Sequence, residues 1–112
     1  YVTAYRISDG AQAWRFFTVP RDPAQGPQEH PELEDALATW DPASRWDIGG
    51  GGTAWDAITY DPEYDQVIIG TGNGDPISIY ARSPGGGDNL YLSSLVAVDR
   101  ASGRMKWYIQ QT

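Results

Sequence analysis

The sequence predicts an all-β protein built from stacked four-stranded sheets, and three observations carry that reading. Five Trp and seven Tyr stand beside thirteen Gly and eight Pro in 112 residues. Large aromatic packing elements mixed with turn formers suit short strands joined by tight turns. Short apolar runs at both ends of the chain are separated by turn-forming triplets. Finally, one hairpin sequence occurs twice. Ala4-Tyr5-Arg6-Ile7-Ser8-Asp9-Gly10-Ala11-Gln12-Ala13-Trp14 aligns without gaps on Ala97-Val98-Asp99-Arg100-Ala101-Ser102-Gly103-Arg104-Met105-Lys106-Trp107, with Ala, Gly and Trp at the same offsets. Repeated hairpins mean stacked sheets rather than one closed globule.

Taken in order, Val2 to Arg6 reads as a strand, Ser8-Asp9-Gly10 as a turn with Gly where φ is positive, and Gln12 to Thr18 as the returning strand. Pro20 ends the regular pattern. A connection rich in Pro, Gly and Asp follows up to Gly52. Within it, Leu33, Ala36, Leu37 and Trp40 recur at helical spacing, with Pro31 at the first turn and acids near the start, so a short helix is expected. Ala57 to Tyr60 and Gln66 to Gly70 flank the turn sequence Asp61-Pro62-Glu63-Tyr64-Asp65 and form a hairpin. A glycine-rich stretch runs from Asn73 to Asn89. Leu92 to Asp99 and Arg104 to Gln110 then pair around Ala101-Ser102-Gly103. The expected division is residues 1–18 as the end of one sheet unit, 19–52 as a crossover loop with its helix, and 53–112 as one full unit.

Composition sets limits on function. A formal charge of −7 and a pI near 4.4 argue against nucleic acid and anionic membrane surfaces. No cysteine is present, which excludes thiol chemistry and Cys-type metal sites in this stretch, and a single histidine, His30, excludes a multi-histidine zinc site. No leader pattern or long apolar run is visible. Tyr1 falls inside a strand pattern and Thr112 just past one, so the chain is expected to be a piece of a longer protein, inactive by itself.

The Ala-x-Asp-x-x-x-Gly-x-x-x-Trp hairpins resemble the tryptophan docking motifs of quinoprotein propellers. Trp14, Trp107 and Asp99 match, and Arg6 replaces the acid in the first copy. A more specific set is Gly49-Gly50-Gly51-Gly52-Thr53-Ala54-Trp55-Asp56, followed by Asn73 within Gly70-Thr71-Gly72-Asn73-Gly74. Together with Arg15-Phe16-Phe17-Thr18-Val19-Pro20 and Gly87-Asp88-Asn89-Leu90, these motifs resemble the alcohol dehydrogenases that depend on pyrroloquinoline quinone (PQQ) and calcium. The resemblance covers essentially the whole chain. It implies a partial β-propeller, about one and a half four-stranded blades of an eight-bladed ring plus a crossover loop. It also implies oxidation of primary alcohols to aldehydes, a c-type cytochrome as electron acceptor and a periplasmic location.

What the resemblance implies residue by residue agrees with the chemistry of the side chains. Trp55 would form the floor of the cofactor pocket, since a broad indole face can hold a flat tricyclic in plane. The glycine run would let backbone approach that flat ligand. Thr53 would offer a hydroxyl to a carboxylate or quinone oxygen of PQQ. Asn73 would ligate Ca²⁺ through its side-chain oxygen, as a hard cation prefers. The catalytic base, the acidic calcium ligand and an adjacent-cysteine clamp fall outside this stretch, so no catalytic residue is assigned. The family's usual tryptophan after the Asn motif is Ile77 here.

Other polar residues read as structural. Asp56, Asp61 and Asp65 suit turns and solvent-facing positions, Asp75 and Asp88 suit local turn bonds, and Glu32, Glu34 and Asp35 suit a solvated helix face. His30, in a proline-flanked loop, is expected at the surface. Arg82, Asp88 and Asn89 are expected to brace the loop above the pocket. Two rival functions remain open: a cofactor-free propeller that binds proteins, which has no reason to combine Thr53, Trp55 and Asn73, and a quinoprotein acting on sugars or polyols.

Overall fold

A computed structural model describes residues 1–111, with Asp56 described by its backbone alone. Two antiparallel sheets are present. Strands β1 (Val2–Tyr5) and β2 (Gln12–Phe16) form a hairpin, and β3 (Ala54–Asp61), β4 (Gln66–Thr71), β5 (Ser94–Asp99) and β6 (Met105–Gln110) form a four-stranded meander in sequence order. Helix α1 (Pro31–Leu37) lies in the connection, as its periodicity predicts, and α2 (Ile79–Arg82) is a single turn within the glycine-rich stretch that sequence reading left without structure. Short 3₁₀ turns at Pro23–Gln25 and Trp46–Ile48 punctuate the crossover.

Alternation along the strands decides where the core sits. The cross-strand rows Ile58–Ile69–Val96–Tyr108 and Tyr60–Val67–Val98–Met105 lie two residues apart on β3, β4 and β5, and three apart on β6 across its register shift. Ile69, Val96 and Val98 are completely buried in these rows, and each such side chain contributes about 1.5–3 kcal/mol. They pack with Trp14 and Phe16 from β2, Leu33 and Ala36 from α1, and Tyr91 from the loop before β5. The core therefore joins both sheets through the crossover helix. The Leu33 and Ala36 face of α1 is buried as expected, and Trp40 beyond its end is buried too.

The two repeated hairpins share one backbone turn. The N–H of Arg6 donates to Ala11 and the N–H of Gly10 to Arg6; the N–H of Asp99 donates to Arg104 and that of Gly103 to Asp99, all four bonds at 2.8 Å. Only the side chains differ. Asp99 takes the backbone N–H groups of Ala101 and Ser102, whereas Arg6 reaches forward to the carboxylate of Asp9. Asp9 then accepts the N–H of Ala11, so the missing acid is supplied three residues later.

Two expectations about the crossover are corrected. His30 is not a surface residue. Its ring stacks on Phe16 with centroids 4.5 Å apart, Nε2 accepts the Phe17 N–H at 3.0 Å, and Nδ1 faces Glu32 at 3.1 Å. Glu32 is not on a solvated face either, since only 7% of the residue is exposed. Its Oε1 accepts from Arg104 Nε at 2.7 Å and from the Met105 N–H at 3.2 Å. The carboxylate thus ties the helix to β6, and His30 carries the link on to Phe16 of β2 and to Phe17. Asp61 and Asp65 do serve turns: Asp61 accepts from the Glu63 N–H and Gln66, and Asp65 from Arg100 and Tyr60. The expected surface position of the Asp56 carboxylate lies outside the described residues.

Candidate cofactor and metal site

Strand β3 begins irregularly. Its pairing with β4 shifts between Ala54 and Asp56 and again between Asp56 and Ile58. Ala57 adopts φ 59°, a left-handed conformation unusual for alanine. Bulges of this kind re-aim a side chain out of the regular alternation. The Trp55 indole is 77% exposed, on an edge strand whose Ile58 and Tyr60 are exposed as well. Its edge rests on Gly72, where a Cβ would come within 3.1 Å of Nε1.

The glycine run before β3 also holds the neighbouring loop. Its backbone packs against the loop that carries Asn73. The Gly52 N–H donates to the Asn73 carbonyl at 3.0 Å, the Asp75 N–H to Gly50 at 3.0 Å and the Gly72 N–H to Thr53 at 2.9 Å. Gly51 pairs with Gly74 as an isolated bridge. Gly51 has φ +94°, and a Cβ there would fall 2.5 Å from the Asn73 carbonyl oxygen and the Asp75 nitrogen. Absence of side chains thus brings two backbone segments together, which fixes Asn73 relative to Trp55.

Thr53, Trp55 and Asn73 line one open hollow of about 300 Å³ with Gly51, Gly72 and Asp75. The Asn73 amide nitrogen donates to the Gly74 carbonyl at 2.8 Å, so the donor end of the side chain is spent on its own loop. Its carbonyl oxygen is the end available to a cation. Asp75 was expected to serve a local turn; it stands on the rim of this hollow. Asp88 lines the neighbouring cavity beside Arg82. Of the residues expected to brace the loop, Arg82 and Asn89 do meet, Nε donating to Oδ1 at 3.1 Å. Ile77, in place of the expected tryptophan, is 83% exposed.

These residues fit a flat ligand and part of a cation site. A largely exposed indole face can take a planar ring system, and the Thr53 hydroxyl and Asn73 oxygen lie on the same hollow. Among the described residues no group of three or more His, Cys, Asp or Glu side chains is placed to hold a metal ion. Ca²⁺ takes six to eight oxygens, so Asn73 would supply one member of a larger set. No helix among the described residues is long and apolar enough to cross a membrane.

Comparison with known proteins places this arrangement. The PQQ glucose/ethanol/alcohol dehydrogenase β-propeller domain model matches residues 1–112. The quinohemoprotein alcohol dehydrogenase ADH IIB of Pseudomonas putida is 54% identical over the whole chain, which spans 16% of that protein. The quinohemoprotein alcohol dehydrogenase of Comamonas testosteroni is 50% identical, and its crystal structure superposes with a TM-score of 0.92 over 98% of this chain and 16% of that one. A europium-containing methanol dehydrogenase is 28% identical with a TM-score of 0.74, covering 98% of this chain and 20% of its own. The chain is similar to these proteins along its entire length and corresponds to about one sixth of theirs. With its paired sheets and docking tryptophans forming part of a propeller, the chain belongs to the PQQ glucose/ethanol/alcohol dehydrogenase β-propeller family.

Proposed function

We propose that this chain is the segment of a PQQ- and Ca²⁺-dependent dehydrogenase, oxidising primary alcohols to aldehydes, that supplies the cofactor-stacking Trp55 and one calcium ligand, Asn73. The observation that carries the reading is one juxtaposition. An exposed indole at the bulged start of β3 shares a hollow with an amide whose nitrogen already donates to its own loop. A solvent-facing indole locked in place by backbone geometry suits a stacking platform.

When bound, PQQ would supply hydride-acceptor chemistry and Ca²⁺ Lewis-acid chemistry. The chain's own residues bind and orient. Trp55 would fix the plane of the ring, Thr53 would donate a hydrogen bond at its rim, and Asn73 would supply one oxygen to the cation. The proton of the alcohol goes to a base outside this segment. The names of the relatives support the activity, and one of them, a lupanine 17-hydroxylase [cytochrome c] of Pseudomonas that is 39% identical, supports a c-type cytochrome as electron acceptor. A periplasmic location follows from the same family reading.

Dye-linked ethanol oxidation by the full-length protein, reconstituted with PQQ and Ca²⁺, tests the reading. Activity should require both additions and should collapse, or demand far more calcium, in Asn73→Ala. A folded full-length protein that neither binds PQQ nor oxidises any alcohol would replace this reading with the protein-binding scaffold. PQQ binding without ethanol turnover would keep the cofactor and move the substrate to sugars or polyols.

A further inference from the structure

We infer that Arg82 is a positioning residue for the calcium ligand: its buried guanidinium sets the loop from Asn73 to Ile77 and thereby the place of the Asn73 side chain. The inference rests on the reading of Asn73 as a metal ligand.

Arg82 ends α2 and is only 8% exposed, which is unusual for a cation. Its three acceptors are neutral oxygens rather than a carboxylate. Nη1 donates to the carbonyls of Pro76 and Ile77, the latter at 2.9 Å, and Nε donates to Asn89 Oδ1 at 3.1 Å. Burial pushes its pKa down, the sign of a charge held away from water. Such a charge is costly unless the groups around it are arranged for it.

The arrangement points at Asn73. A Cβ on Gly74 would lie 2.4 Å from Cζ and Nη1, so the backbone of Gly74 lies directly against the guanidinium. The carbonyl of that same Gly74 accepts the Asn73 amide at 2.8 Å. One side of the loop is therefore held by the glycine run, through Gly52 to Asn73 and Asp75 to Gly50, and the other by Arg82. Asn89 anchors the arginine in turn. It is 1% exposed, and its Nδ2 donates to the Thr39 carbonyl at 3.0 Å, just beyond α1. A planar fork is needed to reach the Pro76 and Ile77 carbonyls and Asn89 at once, which lysine cannot reproduce.

The test is a Ca²⁺ titration of PQQ binding to the full-length protein, read by the change in cofactor absorbance or tryptophan fluorescence, with kcat and Tm measured alongside. Electrostatics and positioning predict opposite signs. Removing a positive charge near a cation site strengthens Ca²⁺ binding, whereas loosening the loop weakens it. For Arg82→Met the half-saturating Ca²⁺ should rise about tenfold, the usual scale for losing a group that orients a metal ligand. In that variant kcat at saturating Ca²⁺ should stay near the parent value. Arg82→Lys, which keeps the charge and loses the fork, should show the same direction with a smaller shift, and it carries the test if Arg82→Met does not fold. An unchanged or lowered Ca²⁺ requirement, with or without a fall in Tm, overturns the assignment. If the unsubstituted protein shows no Ca²⁺-dependent PQQ binding, the proposed function fails and this inference fails with it. Normal binding there, with no shift in the variants, removes Arg82 alone.

Discussion

The indole of Trp14 lies directly on Gly103. A Cβ at that glycine would fall 2.6 Å from Cγ and Cδ2 of the ring, and Trp14 Nε1 donates to the neighbouring Arg100 carbonyl at 2.8 Å. The tryptophan that closes one copy of the repeated hairpin is thus seated on the glycine turn of the next copy. Gly103 answers two demands at once, φ +70° and room for the ring.

Gly103→Ala should therefore be destabilising in the full-length protein, by about 1–3 kcal/mol from overpacking. Trp14→Ala should cost more, about 3–5 kcal/mol, because it empties a buried aromatic site. Urea unfolding of each single variant and of the pair checks this. The double variant should lose less than the sum, since both changes disrupt one contact.

Glu32 should make stability depend on acid. Burial raises its pKa, but hydrogen bonds from Arg104, its own backbone, Met105 and His30 outweigh that and hold it below its ordinary value of 4.5. A carboxyl depressed in the folded state contributes stability in full above its unfolded pKa, and the contribution is lost as pH falls through the folded value. Glu32→Gln should cost about 1.5–3 kcal/mol at neutral pH, the range for a hydrogen bond to a charged group. The gap between parent and variant should narrow as pH drops below about 4.3. Denaturant midpoints at pH 7 and in the acid range measure it.

Trp55 and Gly51 should separate binding from folding. Trp55→Ala removes an exposed ring, so stability should change by no more than about 0.5 kcal/mol while PQQ binding is lost. Gly51→Ala should do the reverse in order of cause. Its Cβ would strike the Asn73 loop, so the melting temperature should fall together with calcium affinity. Thermal melts paired with PQQ titration of both variants in the full-length protein distinguish the two.

The 112-residue chain expressed alone should not unfold cooperatively as a monomer. The four-stranded sheet leaves Ile58, Tyr60, Leu95 and Ile109 exposed, with Trp107 at 40%, whereas its counterpart Trp14 on the next hairpin is 9% exposed. Uncovered sheet faces and open edge strands invite association instead. Circular dichroism melts combined with sedimentation would show a broad transition or oligomers; a sharp monomeric transition would contradict this.

Much of this protein is legible along the chain, because it rests on local rules. Turn glycines at residues 10 and 103, the short apolar runs of β4 and β5 and the 3.6-residue spacing of Leu33, Ala36 and Trp40 are short-range signals, and each matches the element observed. Trp55 and Asn73 stand out through the family resemblance that their motifs carry. What the sequence could not convey is how they meet. The two irregularities in β3 beside the indole depend on its register with β4, and the packing of Gly51 on Gly74 is a contact between separate loops. His30 and Glu32 read as solvent-facing because their partners, Phe17 and Arg104, lie in other elements. Arg82 likewise gains its significance only where Gly74 and Asn89 close around it. The sequence by itself determined the sheets and the turns. Tertiary structure alone decided which polar groups are buried and which way the site residues point, because burial and aim depend on what the rest of the chain brings alongside.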